Sequence, residues 1–307
     1  MDKILNYFPL YIRNELNKYT NKFNELEEIR IRANKNIVLK VGQADIILNY
    51  ITTQQDLLEI LQIICDNSIY SYQTQICNGY ITLKGGHRVG ITGNVVIENG
   101  KVINISYIYS LNFRIAKEIL GCSNKIIKDI LDFKNNTIYN TIIVSPPGRG
   151  KTTLLRDIVR QISSGISSLN FNGINVGLVD ERDEISAMYK GIPQNNIGLR
   201  TDVLANVPKA IGMKMLVRSM NPKVIVADEI GTIEDVEAIN YAVCSGVKGV
   251  FTAHGSSMKD ISLNPILNNL YKLEIFEMFL FIDENRNIIK YSCKKGENGS
   301  AITKYTM

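Results

Sequence analysis

The sequence is short of the residues that build metal modules and cross-linked scaffolds. Its five cysteines, Cys65, Cys77, Cys122, Cys244 and Cys293, include no C-x-x-C pair. That argues against both a zinc module and a disulfide framework, and an odd set of scattered thiols fits a reducing compartment. No stretch approaches the roughly 18 consecutive apolar residues that span a bilayer. The opening MDKILNYFPLYIRNELNKYT carries Pro9, Arg13 and Glu15 where a signal peptide needs an uninterrupted apolar segment. The expectation is a soluble chain, without direct membrane insertion, that works at a membrane only through partners. One-sided charge is also missing. Lys and Arg number 35 against 30 Asp and Glu, a formal excess of +5 spread along the chain, so the basic stripe of a dedicated nucleic-acid binder is absent. No internal repeat or low-complexity segment interrupts the 307 residues.

What remains is an ordinary globular composition, 45% hydrophobic and 21% charged, in a chain long enough for two domains. Residues 4–19 place Ile4, Leu5, Phe8, Ile12 and Leu16 at helical spacing. EEIRIRANKNIVLKVG alternates as a half-exposed strand, with Ile29 and Ile31 against Arg30 and Arg32. Thr53 caps an amphipathic helix, and the glycine-punctuated GYITLKGGHRVGITGNVVIENGKVINIS predicts a meander of short antiparallel strands. From about residue 137 the character changes. NTIIV, NVGLV, PKVIVA and GVFTA are apolar runs separated by helical segments, as buried parallel strands are. The expected organisation is a smaller α+β domain over 1–118, a linker over 119–136 with DFKNNT as its polar junction, and an α/β domain over 137–307 whose ligand sits at the carboxyl ends of its strands.

SPPGRGKTT, residues 145–153, follows one such strand and opens a helix. It is a phosphate-binding loop with Ser145 in place of the first glycine. In such a loop the backbone N–H groups wrap nucleotide phosphates and the helix N-terminus adds its positive end. Pro147, Gly148, Arg149, Gly150, Lys151, Thr152 and Thr153 are the expected nucleotide contacts. Lys151 reaches the β- and γ-phosphates, and Thr152 ligates Mg²⁺. VIVADE then delivers Asp228, placed to hold the metal, and Glu229, placed to polarise the attacking water. The second carboxylate argues for hydrolysis over sensing. GLVDERDE brings Asp180 and Glu181 toward the same γ-phosphate, with a charged loop balanced by Arg182 as the plainer alternative. His254, one of only two histidines, ends the VFTAH strand, where it can sense the γ-phosphate or polarise the acidic cluster.

Loop, intervening acidic box, Asp-Glu strand and Thr-x-His box occur here in the order that resembles the secretion ATPase superfamily, the hexameric motors of type II and type IV secretion and of pili. GLRTDVLANVPKAIGMKMLVRSMNPKVIVADEIGTIEDVEAI, with EEIRIR, GGHRVGITG and NFRIAKE upstream, looks like the stage III AA sporulation family of spore-forming Firmicutes. The resemblance implies a RecA-like P-loop core, ATP and Mg²⁺, and a nucleotide-dependent homo-oligomer, a hexamer in related motors. It also implies a mother-cell cytosolic location, peripheral at a membrane through channel proteins of the same operon, and a role in powering or assembling the mother cell–forespore channel. It further implies that arginines supply positive charge at the nucleotide, with Arg88, Arg114, Arg200 and Arg218 as candidates. Solvated strand residues are the alternative for Arg30, Arg32 and Arg88. Two rival functions stand beside this one. A nucleic-acid motor on a similar core would need a basic, aromatic-lined groove, and a nucleotide-dependent scaffold would show little turnover.

Overall fold

The computed structural model describes residues 4–293 and 303–306, and the chain divides into two compact units. The first comprises residues 1–117 together with the excursion Ala187–Gln194, and the second comprises 118–186 and 195–307. Both boundaries depart from a simple linker. Residues 119–136 belong to the second unit, where Ile126, Ile127, Ile130 and Leu131 are buried in its core. DFKNNT is the turn of a small hairpin pairing Leu131–Asp132 with Thr137–Ile138. The excursion carries its own hairpin, Met188–Tyr189 against Ile192–Pro193, and is tied within the first unit by Lys190 to Asp66 and by the Gly85 N–H to Gln194.

In the first unit a six-stranded antiparallel sheet has the order β3-β2-β1-β6-β5-β4. Its strands are β1 (Leu26–Arg32), β2 (Lys35–Val41), β3 (Ala44–Thr52), β4 (Tyr80–Thr82), β5 (Arg88–Glu98) and β6 (Lys101–Arg114). Helix α1 (Leu10–Asn17) starts later than the apolar spacing predicts. Pro9, at ψ 153°, is extended and lacks an N–H, so Ile4–Tyr7 forms a separate 3₁₀ turn. Helix α2 (Gln54–Ile64) has the predicted cap at Thr53, closed reciprocally by Asp56, and buries Leu57, Ile60, Leu61 and Ile64. The expected meander is largely one long ribbon, β5 to β6, reversed at Asn99-Gly100 with both residues at positive φ, the backbone that an Asn-Gly hairpin turn requires.

The second unit is built on an eight-stranded sheet ordered β9-β8-β10-β11-β7-β12-β13-β14. Its strands are β7 (Thr141–Ser145), β8 (Val176–Asp180), β9 (Thr201–Ala205), β10 (Val224–Ala227), β11 (Lys248–His254), β12 (Met278–Ile282), β13 (Asn287–Ser292) and β14 (Thr303–Thr306). The first six run parallel and the last two antiparallel. Four central strands are buried along nearly their whole length, which is why they read as continuous apolar runs. Helix α3 (Lys151–Ser164) covers one face through Leu154, Leu155, Ile158, Val159 and Ile162. Helices α4 (Lys209–Ser219) and α5 (Ile233–Cys244) cover the other through Met213, Leu216, Val236 and Ile239. Each fully buried side chain of this size contributes roughly 1.5–3 kcal/mol, so the loop preceding α3 rests on a firmly seated helix. Parallel register brings Ser145, Asp180, Ala227 and His254 to one end of the sheet.

Candidate functional site

The loop over 145–153 leaves β7 at Ser145. This serine is buried, pairs with His254 in the neighbouring strand and does not have a positive φ. A strand residue with ordinary backbone needs no glycine. The positions that do need one are Gly148 and Gly150, at φ +73° and +96°, where the loop turns left-handed before α3 begins. A Cβ at Gly148 would meet nothing within 4 Å, so it is conformation and not space that demands glycine there. Pro147 and Gly148 are exposed and Arg149 half-buried. Lys151, Thr152 and Thr153 occupy the first turn of α3.

Two contacts join this loop to the turn after β10. The Thr152 hydroxyl donates to Asp228 Oδ2 at 2.6 Å, and Lys151 Nζ, almost wholly buried, donates to Glu229 Oε1 at 2.9 Å. A hydroxyl and a carboxylate converging in this way suit a magnesium ion carried on a nucleotide, which keeps several of its ligands from water and phosphate. Among the described residues no group of three or more His, Cys, Asp or Glu side chains could hold a metal by itself.

Three basic side chains converge on Glu229. Besides Lys151, Arg182 Nη1 reaches its Oε2 at 2.6 Å and His254 Nε2 lies 3.3 Å from its Oε1. Burial pushes its carboxyl up, but the Lys151 hydrogen bond and charge, then Arg182 and His254, outweigh burial and hold it below the usual carboxylate range. Glu229 is also left-handed, at φ +54°. Thr252, buried on β11, holds that turn. Its hydroxyl donates to Asp228 Oδ1 and accepts the Glu229 N–H at 2.8 Å, while its carbonyl accepts the Ile230 N–H at 2.8 Å. Thr252 was legible only as the first letter of the Thr-x-His box, and nothing in the sequence links it to Asp228.

The remaining acids line the same cleft, with Asp180, Glu181, Arg182, Glu184, Lys209, Asp228 and Glu229 around it, but their carboxylates face other partners. Asp180 accepts from the N–H groups of Glu184, Ile185 and Ser186 and from the Ser186 hydroxyl, which folds the loop that follows β8 around it. Glu181 pairs with Lys209 at 2.5 Å.

The arginines are dispersed. Arg200 Nη1 caps the far end of α3 through the Ser163 and Ser164 carbonyls. That is about a dozen helical residues beyond Lys151, or about 18 Å at 1.5 Å per residue, too far for the loop over 145–153 of the same chain. Arg218 stacks on Tyr241 just before β10 enters the sheet, at the end opposite Asp228. Neither therefore reaches this chain's own site. In the first unit Arg88 and Arg114 face each other across β5 and β6, and Arg114 faces Glu28 on β1. By strand alternation Arg30 and Arg32 share that face, with Arg30 bound to Glu28 at 2.6 Å.

The family model for sporulation stage III, protein AA, matches residues 1–301. The chain is 36% identical over 307 residues to stage III sporulation protein AA of Bacillus subtilis (strain 168), covering all of this chain and 98% of that protein. It is 24% identical over 272 residues to the uncharacterized protein ycf45 of Porphyra purpurea, covering 88% of this chain and 43% of the relative. Among solved structures it resembles the Legionella pneumophila ATPase DotB, with a TM-score of 0.59 at 16% identity over 92% of this chain and 77% of DotB. It also resembles the pilus retraction motor PilT bound to ADP, with a TM-score of 0.56 at 14% identity over 94% of this chain and 81% of PilT. These likenesses establish the fold, a RecA-like core preceded by a smaller α+β domain.

Proposed function

The chain belongs to the sporulation stage III, protein AA family, and on that premise we propose that it is a secretion-type ATPase that hydrolyses ATP with Mg²⁺. The observation that carries this reading is the double contact between loop and acidic turn, Lys151 with Glu229 and Thr152 with Asp228. It brings the Lys151 ammonium, the Thr152 hydroxyl and the Asp228 and Glu229 carboxylates together, which supports reading them as a phosphate-binding cation, a metal-binding pair and a water-orienting carboxylate. Lys151 and the backbone N–H groups of 147–152 bind the phosphates, while Thr152 and Asp228 hold the metal. Glu229, freed from Lys151 when phosphate takes the ammonium, orients a water molecule whose oxygen bonds to the γ-phosphorus as the bond to the β-phosphate oxygen breaks. The exposed His254 lies at the same carboxylate and reports on its state. Asp180 and Glu181 shape the loop beside it, which is a supporting role.

The wider proposal is a nucleotide-dependent homo-oligomer, a hexamer by resemblance, in the mother-cell cytosol. It powers or assembles the mother cell–forespore channel through membrane-embedded partners. No helix among the described residues is long and apolar enough to cross a membrane. By the same resemblance Arg88 and Arg114 are proposed as further sources of positive charge for a bound nucleotide. Phosphate release by the full chain tests the core claim. Glu229→Gln should retain ATP binding and lose about 10²–10⁴ in rate, and an unchanged rate would remove Glu229 from the mechanism. Lys151→Ala should lose ATP binding.

A further inference from the structure

Arg182 lies by sequence in an acidic stretch, where a guanidinium ordinarily balances its neighbours. Of the two carboxylates that precede it, Asp180 accepts backbone N–H groups and Glu181 pairs with Lys209. Arg182 instead crosses to the turn after β10 and binds Glu229 Oε2 at 2.6 Å, opposite the Lys151 contact on Oε1. Two cations therefore share one carboxylate, and the guanidinium stands beside the ammonium that the phosphate loop supplies. Their settings differ. The Lys151 side chain is 7% exposed, whereas that of Arg182, on its longer stem, is 66% exposed. A γ-phosphate that draws Lys151 off Glu229 arrives within reach of Arg182, carrying more negative charge than the carboxylate and a set of oxygens that fits the guanidinium fork. Arg200 and Arg218, the other arginines considered for this unit, are committed elsewhere.

We infer that Arg182 is a catalytic residue acting within its own subunit, one that exchanges the Glu229 carboxylate for the γ-phosphate when a nucleoside triphosphate binds. The exchange does two things in one movement. It places a positive charge on oxygens that become more negative in the transition state, and it releases the second oxygen of Glu229 to orient water. A diphosphate offers no γ-phosphate, so with ADP Arg182 stays on Glu229. Arg182 thereby tells the two nucleotides apart. The inference rests on the hydrolytic reading above for its rate component and on phosphate binding alone for its affinity component.

The test uses the full chain and its Arg182→Gln and Arg182→Lys variants, with Mg²⁺ throughout. Affinities are measured for ADP and for a non-hydrolysable ATP analogue, alongside phosphate release from ATP. At so exposed a position both variants should keep the wild-type melting temperature. Arg182→Gln should weaken the ATP analogue by about tenfold and leave ADP within about twofold, since one charge-assisted phosphate contact is worth roughly a factor of ten. It should slow phosphate release by about 10²-fold or more, in line with other arginines at transferring phosphoryl groups. Lysine should restore part of the affinity and less of the rate. Equal effects on both nucleotides would reduce Arg182 to a counter-ion, and a faster Arg182→Gln enzyme would make it a brake; either overturns the inference. If the wild-type chain releases no phosphate, the hydrolytic reading falls on its own, and the affinity ratio still decides the fate of Arg182.

Discussion

Replacing Thr252 with valine exchanges one hydroxyl for a methyl group of similar size in a site without solvent exposure. Two interactions go with the oxygen: the donation to Asp228 Oδ1 and the acceptance of the Glu229 N–H. A hydrogen bond to a charged group is worth about 1.5–3 kcal/mol net and a neutral one about 1 kcal/mol. The turn they hold contains Glu229 in the left-handed region, which costs a non-glycine residue about 1–2 kcal/mol. Without the hydroxyl that turn can relax, and both carboxylates lose their aim. If most of this energy bears on the transition state, about 2–3 kcal/mol corresponds to a loss of roughly 30–150-fold in kcat. On the proposed reading nucleotide binding rests on the loop of 146–152, to which the Thr252 hydroxyl does not bond, so KM for ATP should stay within about threefold. Thr252→Ser keeps the oxygen and should recover most of the rate. Steady-state phosphate release over a range of ATP and Mg²⁺ concentrations measures these effects, and Mg²⁺ half-saturation should rise in the valine variant because Asp228 loses the Thr252 hydroxyl as a partner. A valine variant with wild-type kcat, or a serine variant as slow as valine, would refute the positioning role.

Two further predictions concern stability. Asp157, on the buried side of α3, accepts from the N–H groups of Gly121 and Ser123, the Ser123 hydroxyl, Gln161 and Arg160; burial raises its carboxyl, but these bonds, led by Ser123, outweigh burial and bring it down to about 2. Asp157→Ala should therefore cost about 3 kcal/mol, read as a lower urea midpoint, and a change below 0.5 kcal/mol would show that segment 121–123 is anchored by something else. His87 accepts the Ala116 N–H on Nδ1 at 3.0 Å, and burial lowers its pKa. The unfolded chain thus takes up a proton near pH 6.5 that the folded chain resists. Stability should be full above about 6.5 and fall as pH drops through that value, and His87→Gln should flatten the fall in a pH series of denaturant melts.

The site was legible wherever its chemistry follows from a strand and the residue that ends it. Lys151 and Thr152 after β7, Asp228 and Glu229 after β10, and His254 on β11 converge because parallel strands in register deliver their carboxyl ends together. What escaped were partnerships between non-adjacent loops, which no local pattern encodes. Asp180 has the same strand-end signature as Asp228, yet the three residues Glu184–Ser186 fold back onto it and consume its oxygens. Arg200 lies between two motif strands, but the loop that carries it runs beneath the far end of α3. The first unit ends at Lys117, within a residue of the expected 118, but residues 119–136 pack into the second unit and form no linker. A polar hexapeptide reads as a junction, whereas Ile126, Ile127 and Ile130 just before it are core residues, and nothing at 187–194 announces that this segment belongs with the first unit.

Ser145 and Glu229 differ in what their backbone conformations ask of the side chain. At position 145 glycine would bring freedom that the chain does not use, since the residue is an ordinary strand partner of His254. At position 229 the backbone is left-handed and glycine would relieve the strain, but it would also delete the carboxylate on which Lys151, Arg182 and His254 converge. A strained residue persists only where its surroundings over-determine it. Here Thr252 supplies that constraint from the neighbouring strand, with its hydroxyl on the Glu229 N–H and its carbonyl on the Ile230 N–H. The strain at Glu229 and the burial of Thr252 are therefore two sides of one arrangement, which is why a single methyl-for-hydroxyl exchange on β11 should be felt at the acid one strand away.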